Sequence, residues 1–401
     1  MPQTERQEPI LRYKLAYTAI ILIIYLLGRG IPLYGIDISA YRAVSGNAEI
    51  LLTQAIGGDE KQFSLFVLGM SPYMMAAILV QILVSIRNAG TKARMSIAGL
   101  NRMRIAVTMI FAVVQALIRV QTMRFRPGGP ELVVTRTVAV IEMITGVMLI
   151  MWLSQRNEKY GIGGRTVLIY VNIVSSVITT LSRHPVGDLY LPLAVAAVMI
   201  VVTLIMEGGE KRIPMQRISI YNIYADKDYL AIKLNPVGVM PVMFSTAFFM
   251  VPQLIIAWFL WLCPENMTLL WWKENLVLTR LPGIQTYIMI LYFLTIGFAM
   301  MMISPKGITE QFLKGGDSIL GLHPGRETRR YLTRQVWGIG LASATVMSIC
   351  IGIPMLLQLK GGINQELVMF PSSVMMLTSL WHTLHQEFKA IKSFEAYRPF
   401  I

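Results

Sequence analysis

The sequence predicts an all-α membrane protein of ten transmembrane helices in two pseudo-symmetric five-helix halves. Three observations predict it. Of 401 residues, 55% are hydrophobic and only 14% charged, whereas soluble domains carry about a quarter charged residues. The apolar residues gather into ten runs, most long enough to cross a bilayer core of about 30 Å. The basic residues then alternate in density from loop to loop. With the N-terminus inside, cytoplasmic segments hold 25 of the 36 Lys and Arg and outer segments 11. That places both termini in the cytoplasm by the positive-inside rule. The loop from Arg119 to Arg136 runs against the rule, with four arginines on the outer side. No sequence repeat is visible, but a five-plus-five inverted arrangement fits the count.

The first run is Leu15–Leu33. The polar stretch before it, MPQTERQEPILRYK, lacks a signal-peptide pattern, so this span is expected to stay in the mature protein. The second, Phe63–Ile86, lies within 25 residues free of charge. Gly69 to Pro72 near its start predict a kinked helix that lines a cavity instead of facing lipid. The third, Ile105–Val120, is short, so Arg119 must snorkel. Thr137–Leu153 follows and contains Glu142, then Thr166–Leu181 and Leu189–Met206. The seventh, Pro236–Leu262, opens on Asn235 and then Pro-Val-Gly-Val-Met-Pro, a pattern for a bent, movable helix. Gln285–Ile303, Gln335–Leu359 and Leu367–Leu384 complete the set. The halves divide into residues 1–184 and 185–401.

Three connecting segments stand out. Asn47 to Ile56 (NAEILLTQAI), closed by Gly57-Gly58, is amphipathic and too short to cross. It reads as a re-entrant or capping half-helix, or as an interfacial helix. The cytoplasmic loops 207–233 and 304–334 exceed the usual loop length, which marks functional or disordered segments. Both mix aromatic and aliphatic residues with charges, which predicts docking surfaces.

The net charge of +14 fits topology and contact with anionic lipid better than nucleic-acid binding. Cys263 and Cys350 read as small apolar residues, not as a disulfide framework. His382 and His385 share a helix face with only Glu387 as a third ligand candidate, so no metal site is expected. Gly161-Ile162-Gly163-Gly164 lacks the strand and the Lys-Ser/Thr of a phosphate loop and reads as a helix break. No nucleophile–base set stands out, so neither catalysis nor a cofactor is expected. Gln81, Gln115, Glu142 and Asn235 are polar residues within apolar runs, where such groups usually face the bundle interior. Methionine is abundant, at 27 residues. Met70, Met74, Met75, Met240 and Met243 sit near the two Pro-broken helices, with Met375 and Met376 in the tenth. Such side chains form soft surfaces that repack around varied partners.

These residues resemble the SecY family of protein-conducting channels. LGMSPYMMAAILVQIL is similar to the family's second span, and IYLLGRGIPLYGID to the end of its first. GVMLIMWLSQRNEKYGIGG resembles the fourth span and following loop, EKRIPMQ the sixth-to-seventh loop, LNPVGVMPVMF the seventh span and GLHPGRETRRYL the eighth-to-ninth loop. The ordered set covers nearly the whole chain.

The resemblance implies an hourglass pore with an apolar ring formed by Met70, Met74, Tyr170, Met240, Met243 and Leu377. A soft hydrophobic constriction resists ion flow by dewetting. It implies a plug at about 47–57, including Asn47, Ile50, Leu51, Leu52 and Ile56. It also implies a lateral gate between spans two and seven with Gln115 and Asn235 as polar members; the third member falls at Met75, a thinner network. Lys211, Arg212, His323, Arg326, Arg329 and Arg330 would dock the ribosome or a SecA-type ATPase. Small SecE/SecG-like subunits or accessory Sec proteins, an unfolded secretory polypeptide and a bacterial plasma membrane are implied too. Ribosomal contact is the one nucleic-acid association it allows.

Departures point within the family. His323 stands where the family usually has arginine, and an imidazole cannot make arginine's bidentate contacts. The usually isoleucine-rich ring is Met-rich, and Gly-Ile-Gly-Gly-Arg replaces Gly-Ile-Gly-Asn-Gly. These features resemble the accessory branch of Gram-positive bacteria, which works with an accessory SecA and exports serine-rich glycosylated adhesins. A housekeeping SecY is the alternative in the same class. A secondary transporter, the rival of another class, predicts a buried charged coupling site, for which only Glu142 offers itself.

Overall fold

The computed structural model describes residues 10–36, 64–90, 96–123, 125, 131–216, 228–262, 266–361 and 367–397. They form two compact units. One comprises residues 1–179 and 380–401, the other residues 180–379, so the last helix begins in the second and ends in the first.

The first unit holds α1 (Ile10–Arg29), α2 (Ser71–Gly90), α3 (Ile97–Thr122), α4 (Glu131–Tyr160) and most of α5 (Gly164–Arg183). It also takes the part of α12 (Phe370–Tyr397) from Leu380 onward. Helix α4 packs against α1, α2 and α3. Small residues permit this: Ala112, Ala116 and Ala139 are fully buried. At Gly146 the approach is closest, because a Cβ there would lie 2.0 Å from the Leu65 carbonyl oxygen. Leu33 and Ile36, beyond α1, join Val120, Met123, Phe125 and Met143 in one apolar cluster.

The second unit holds α6 (Val186–Gly208), α7 (Met240–Leu262), α8 (Met267–Asn275), α9 (Leu281–Met302), α10 (Pro305–Gly315), α11 (Arg326–Leu359) and the start of α12. Helix α9 lies between α7 and α11. Three antiparallel strands, β1 (Glu210–Gln216), β2 (Tyr229–Lys233) and β3 (Ser318–Ile319), form a sheet in the order β2-β1-β3. Glu210 pairs with Lys233 and Met215 with Ile319. Ile213, Met215 and Ile232 of the sheet bury against Phe312 of α10 and Leu332 and Ile339 of α11. The described parts of the two long loops therefore form one folded module with a shared core.

Among the described residues eight helices are long and apolar enough to cross a membrane by length and composition: α1, α3 to α7, α9 and α11. Helix α2, at 20 residues, spans about 30 Å at 1.5 Å per residue, and α12 is longer. The ten runs of the sequence thus each become a helix. Hydroxyls inside these helices turn back on their own backbone: Thr108, Thr145, Thr203, Thr295 and Thr378 donate to the carbonyl four residues earlier. That satisfies them without water.

The starts of α2 and α7 differ from the sequence expectation. Residues 64–70 are turns, held by Leu65 N–H to the Ile31 carbonyl at 2.9 Å, and α2 begins only at Ser71. Pro72 then sits in the first helical turn, where its missing N–H costs nothing, so the second run is not kinked there. Likewise Pro236 and Gly238 precede α7, and Pro241 lies in its first turn. The Pro-Gly signals mark helix starts. The proline inside α7 is Pro252.

Candidate functional site

In the first unit Met70 and Met74 are buried at the junction where the turns end and α2 begins, and Met74 N–H bonds to the Met70 carbonyl at 3.0 Å. Gln115, on α3, donates its amide to the Met75 sulfur at 3.0 Å and to Ser71 Oγ at 3.5 Å. The methionine at the expected third polar position thus serves as the acceptor itself. Tyr170 is half-buried on α5, with its ring 6.4 Å from Trp381. Glu142 accepts the Tyr34 backbone N–H at 2.9 Å, so it caps the segment after α1. Gln81 is exposed on α2.

In the second unit the carboxylate of Glu207, only 4% exposed, organises the start of α7. Ser379 Oγ donates to its Oε1 at 2.6 Å and Asn235 Nδ2 to the same oxygen at 3.3 Å. Asn235, itself 2% exposed, also donates to the Gly238 carbonyl at 3.3 Å and accepts from Ser343 Oγ at 3.1 Å. Its backbone N–H reaches the Met206 carbonyl. Gly238 adopts φ of 62°, a region that L side chains rarely enter. One network thus ties the end of α6, the turn before α7, the middle of α11 and the start of α12. Just beyond it, Met243 is buried at 4% while Met240 is 40% exposed. Leu377 is half-buried on α12.

Sequence reasoning found Asn235 but missed its partners. Glu207 was placed as the first residue of a loop, yet α6 runs to Gly208. The one available signal was a carboxylate abutting an apolar run; Ser343 and Ser379 carry none.

The basic residues cluster on the folded module. Lys211 Nζ donates to Gln335 Oε1, and the Arg212 guanidinium lies 4.7 Å over the Tyr229 ring. His323 is exposed; its backbone N–H donates to Glu327 Oε2 at 3.3 Å and its carbonyl accepts from Thr328 Oγ1 at 2.8 Å. Arg326, Arg329, Arg330 and Arg334 line one shallow cleft on the first turns of α11. That helix has 34 residues, about 51 Å against a bilayer core of about 30 Å. It is long enough to carry these arginines beyond the core.

The proposed plug residues, Asn47, Ile50, Leu51, Leu52 and Ile56, lie outside the described residues, as does Cys263. Glu387, the third candidate beside His382 and His385, accepts the Gly163 N–H on both oxygens at 3.1 Å. Among the described residues no group of three His, Cys, Asp or Glu side chains is placed to hold a metal. The helix break at residues 161–163 is as expected.

Comparison with known proteins adds a family. The SecY family model matches residues 64–383. An accessory Sec system protein translocase subunit SecY2 from Streptococcus parasanguinis is 30% identical, covering 95% of this chain and 94% of its own. The same-named protein of Leuconostoc gelidum subsp. gasicomitatum is 28% identical, covering 94% of each. Among solved structures, one of a protein-conducting channel superposes with a TM-score of 0.68 at 17% identity, over 98% of this chain and 96% of the other. A Sec61 channel from a canine ribosome–channel complex gives 0.59 at 15%, over 98% and 96%. At such identity these likenesses concern the fold.

Proposed function

The chain belongs to the SecY family, and from that premise we propose that it is the protein-conducting channel subunit of an accessory Sec system. It is a multi-pass membrane protein. In this reading it sits in a bacterial plasma membrane with both termini cytoplasmic, and passes unfolded secretory polypeptides without catalysis of its own. The observation that carries the reading is the near full-length correspondence with subunits named SecY2.

The finer assignments follow as parts of the same proposal. Halves 1–184 and 185–401 are the channel's two structural repeats. Met70, Met74, Tyr170, Met240, Met243 and Leu377 line the constriction, and the segment 47–57 plugs it. Helices α2 and α7 form the lateral gate, with Gln115 and Asn235 fixing their first turns. Support comes from the parallel build of the two helices: each starts abruptly after turns, carries a methionine pair there and has an amide nearby. The module of Lys211, Arg212, His323, Arg326, Arg329 and Arg330 docks a SecA-type ATPase of the accessory kind, with ribosomal contact as a lesser use. His323, where the family usually has arginine, lies exposed in this module. Small SecE/SecG-like subunits or accessory Sec proteins complete the assembly, anionic lipid surrounds it, and serine-rich glycosylated adhesins are the clients.

The test is site-specific cross-linking from Met240 in intact membranes. Two arrested substrates are compared, an ordinary signal-peptide protein and a serine-rich adhesin fragment, each with the accessory or the housekeeping motor. Cross-links to the adhesin alone, dependent on the accessory motor, are expected. Cross-links to the ordinary substrate would move the protein to a housekeeping role. None to either would remove Met240 from the pore.

A further inference from the structure

The sheet and helix α7 are joined by very little chain. Residues 234–239 alone separate β2 from α7. Two features loosen this linker: Pro236 has no N–H to bond, and Gly238, at φ of 62°, lacks the Cβ that would stiffen it. The structure closes the linker at both ends.

At the sheet end, pairing of β1 with β2 continues past Glu210 and Lys233. Leu234 N–H bonds to the Gly209 carbonyl at 2.9 Å in the same register, and Asn235 N–H to the Met206 carbonyl at 3.2 Å. Met206 belongs to the last turn of α6, whose final carbonyls have no partner inside their own helix. The hairpin base and the helix end thus satisfy one another. Their approach is close, since a Cβ on Gly209 would lie 2.6 Å from Leu234 Cδ1 and 2.8 Å from the Ile205 carbonyl oxygen. At the α7 end, the Asn235 amide closes the turn onto the Gly238 carbonyl and donates to Glu207 Oε1, each at 3.3 Å. The Val239 carbonyl then accepts from Val242 N–H at 3.1 Å and Met243 N–H at 3.3 Å, the bonds that begin α7. One face of α11 backs both ends: Leu332 and Ile339 lie in the sheet core, and Ser343, one turn on, bonds Asn235 Oδ1.

We propose that Glu207 is a positioning residue through which the β1–β2 hairpin sets the first turn of α7. Its backbone lies in the helix end to which the hairpin base is bonded, and its carboxylate holds the turn from which α7 starts. A displacement of β2 therefore reaches Val242 and Met243 through bonded groups. Without the carboxylate, residues 235–238 absorb it. The consequence for transport rests on the proposed function: with α7 as a gate helix, whatever bends the hairpin moves the gate.

Hydrogen exchange, read by mass spectrometry on the full-length protein in phosphatidylcholine–phosphatidylglycerol nanodiscs, tests this. Bonded positions alternate along an antiparallel strand. Asp228 and Leu234 bond across to Met215 and Gly209, so Leu230 between them supplies a ladder N–H, which Leu230→Pro removes. In that variant exchange at Val242 and Met243 should rise about tenfold, with the amides of α3 unchanged. In Glu207→Ala the same amides already exchange faster, and adding Leu230→Pro should raise them less than about twofold further. Glu207→Gln keeps an acceptor oxygen and should restore part of the response to Leu230→Pro. A Glu207 that only stabilises would give effects that multiply. That result overturns the proposal, as does an unchanged first turn of α7 in Leu230→Pro. If Leu230→Pro elutes as aggregate, Ile232→Val, which thins the sheet core, takes its place with the same outcomes at smaller amplitude. Neither substrate nor motor is present, so failure here leaves the channel reading standing, and failure of the Met240 cross-linking leaves this inference standing.

Discussion

Ser379 Oγ donates to Glu207 Oε1 across 2.6 Å, joining the last turn of α6 to the start of α12. Asn235 donates to the same oxygen, so two buried donors converge on one carboxylate. A buried donor whose acceptor is removed keeps its full desolvation penalty, on the order of 1–3 kcal/mol.

Glu207→Ala should therefore lower thermal stability in detergent, whereas Glu207→Gln, which keeps an acceptor oxygen at the same place, should fall between it and the native protein. Melting curves of the three proteins at matched lipid content decide it. Stability of the Ala variant equal to native would mean that the network does not hold the start of α7.

The Gln115 amide bonds to a thioether, a weak acceptor. Met75→Leu keeps the volume and removes the sulfur, and should cost less than about 1 kcal/mol. Met75→Thr supplies a better acceptor on a shorter side chain. Within the channel reading, Met75→Thr should lower basal ion leak below that of Met75→Leu in planar bilayers. Equal leak would separate this contact from gating.

Gly146 predicts the sharpest contrast. A Cβ there meets the Leu65 carbonyl oxygen at 2.0 Å, and backbone cannot swing aside as a flexible side chain does. Gly146→Ala should reduce the folded yield severely. Gly297→Ala on α9, where nothing lies within 4 Å, should be neutral or stabilise by about 0.4–1 kcal/mol. Size-exclusion profiles and melting temperatures of the two variants compare them directly. Similar behaviour would contradict the packing of residues 64–70 on α4.

Helix existence was legible in the sequence because an apolar run of about 20 residues has few other uses. Helix starts at Gly69–Pro72 and Pro236–Pro241 were not, since the same residues kink a helix or begin one depending on neighbours. The sheet was hidden for a different reason. EKRIPMQ has a proline and little β-branching, and its partners are YLAIK later in the same loop and Ser318–Ile319 about a hundred residues on, so pairing and not local propensity makes it a strand. Glu207 was masked the same way: its partners are 28 and 172 residues distant, and pattern in a window cannot see them. Gln115 and Asn235 were legible because a carboxamide in an apolar run is costly unless paired.

The arginine cleft on α11 is exposed, so its charges can be altered without disturbing a core. If this cleft is the proposed docking surface, Arg326→Glu, Arg329→Glu and Arg330→Glu together should weaken binding of the accessory motor at least about tenfold, or about 1.4 kcal/mol, with a shallower salt dependence. Melting temperature should hold. Binding to proteoliposomes at two salt concentrations reads both quantities, and unchanged affinity would move the docking surface elsewhere.

The two methionines at the start of α7 should respond differently to isoleucine. Met243 is buried at 4%, and a β-branched side chain cannot follow the path of an unbranched one, so Met243→Ile should cost stability of up to about 1.5 kcal/mol. Met240 is 40% exposed, so Met240→Ile should leave stability unchanged and test permeation alone. If a soft ring accommodates bulky clients, Met240→Ile should slow export of a glycosylated adhesin fragment more than that of its unglycosylated form. Equal slowing would assign Met240 a lining role without size selection. No effect on either, with the protein folded, would place it outside the path.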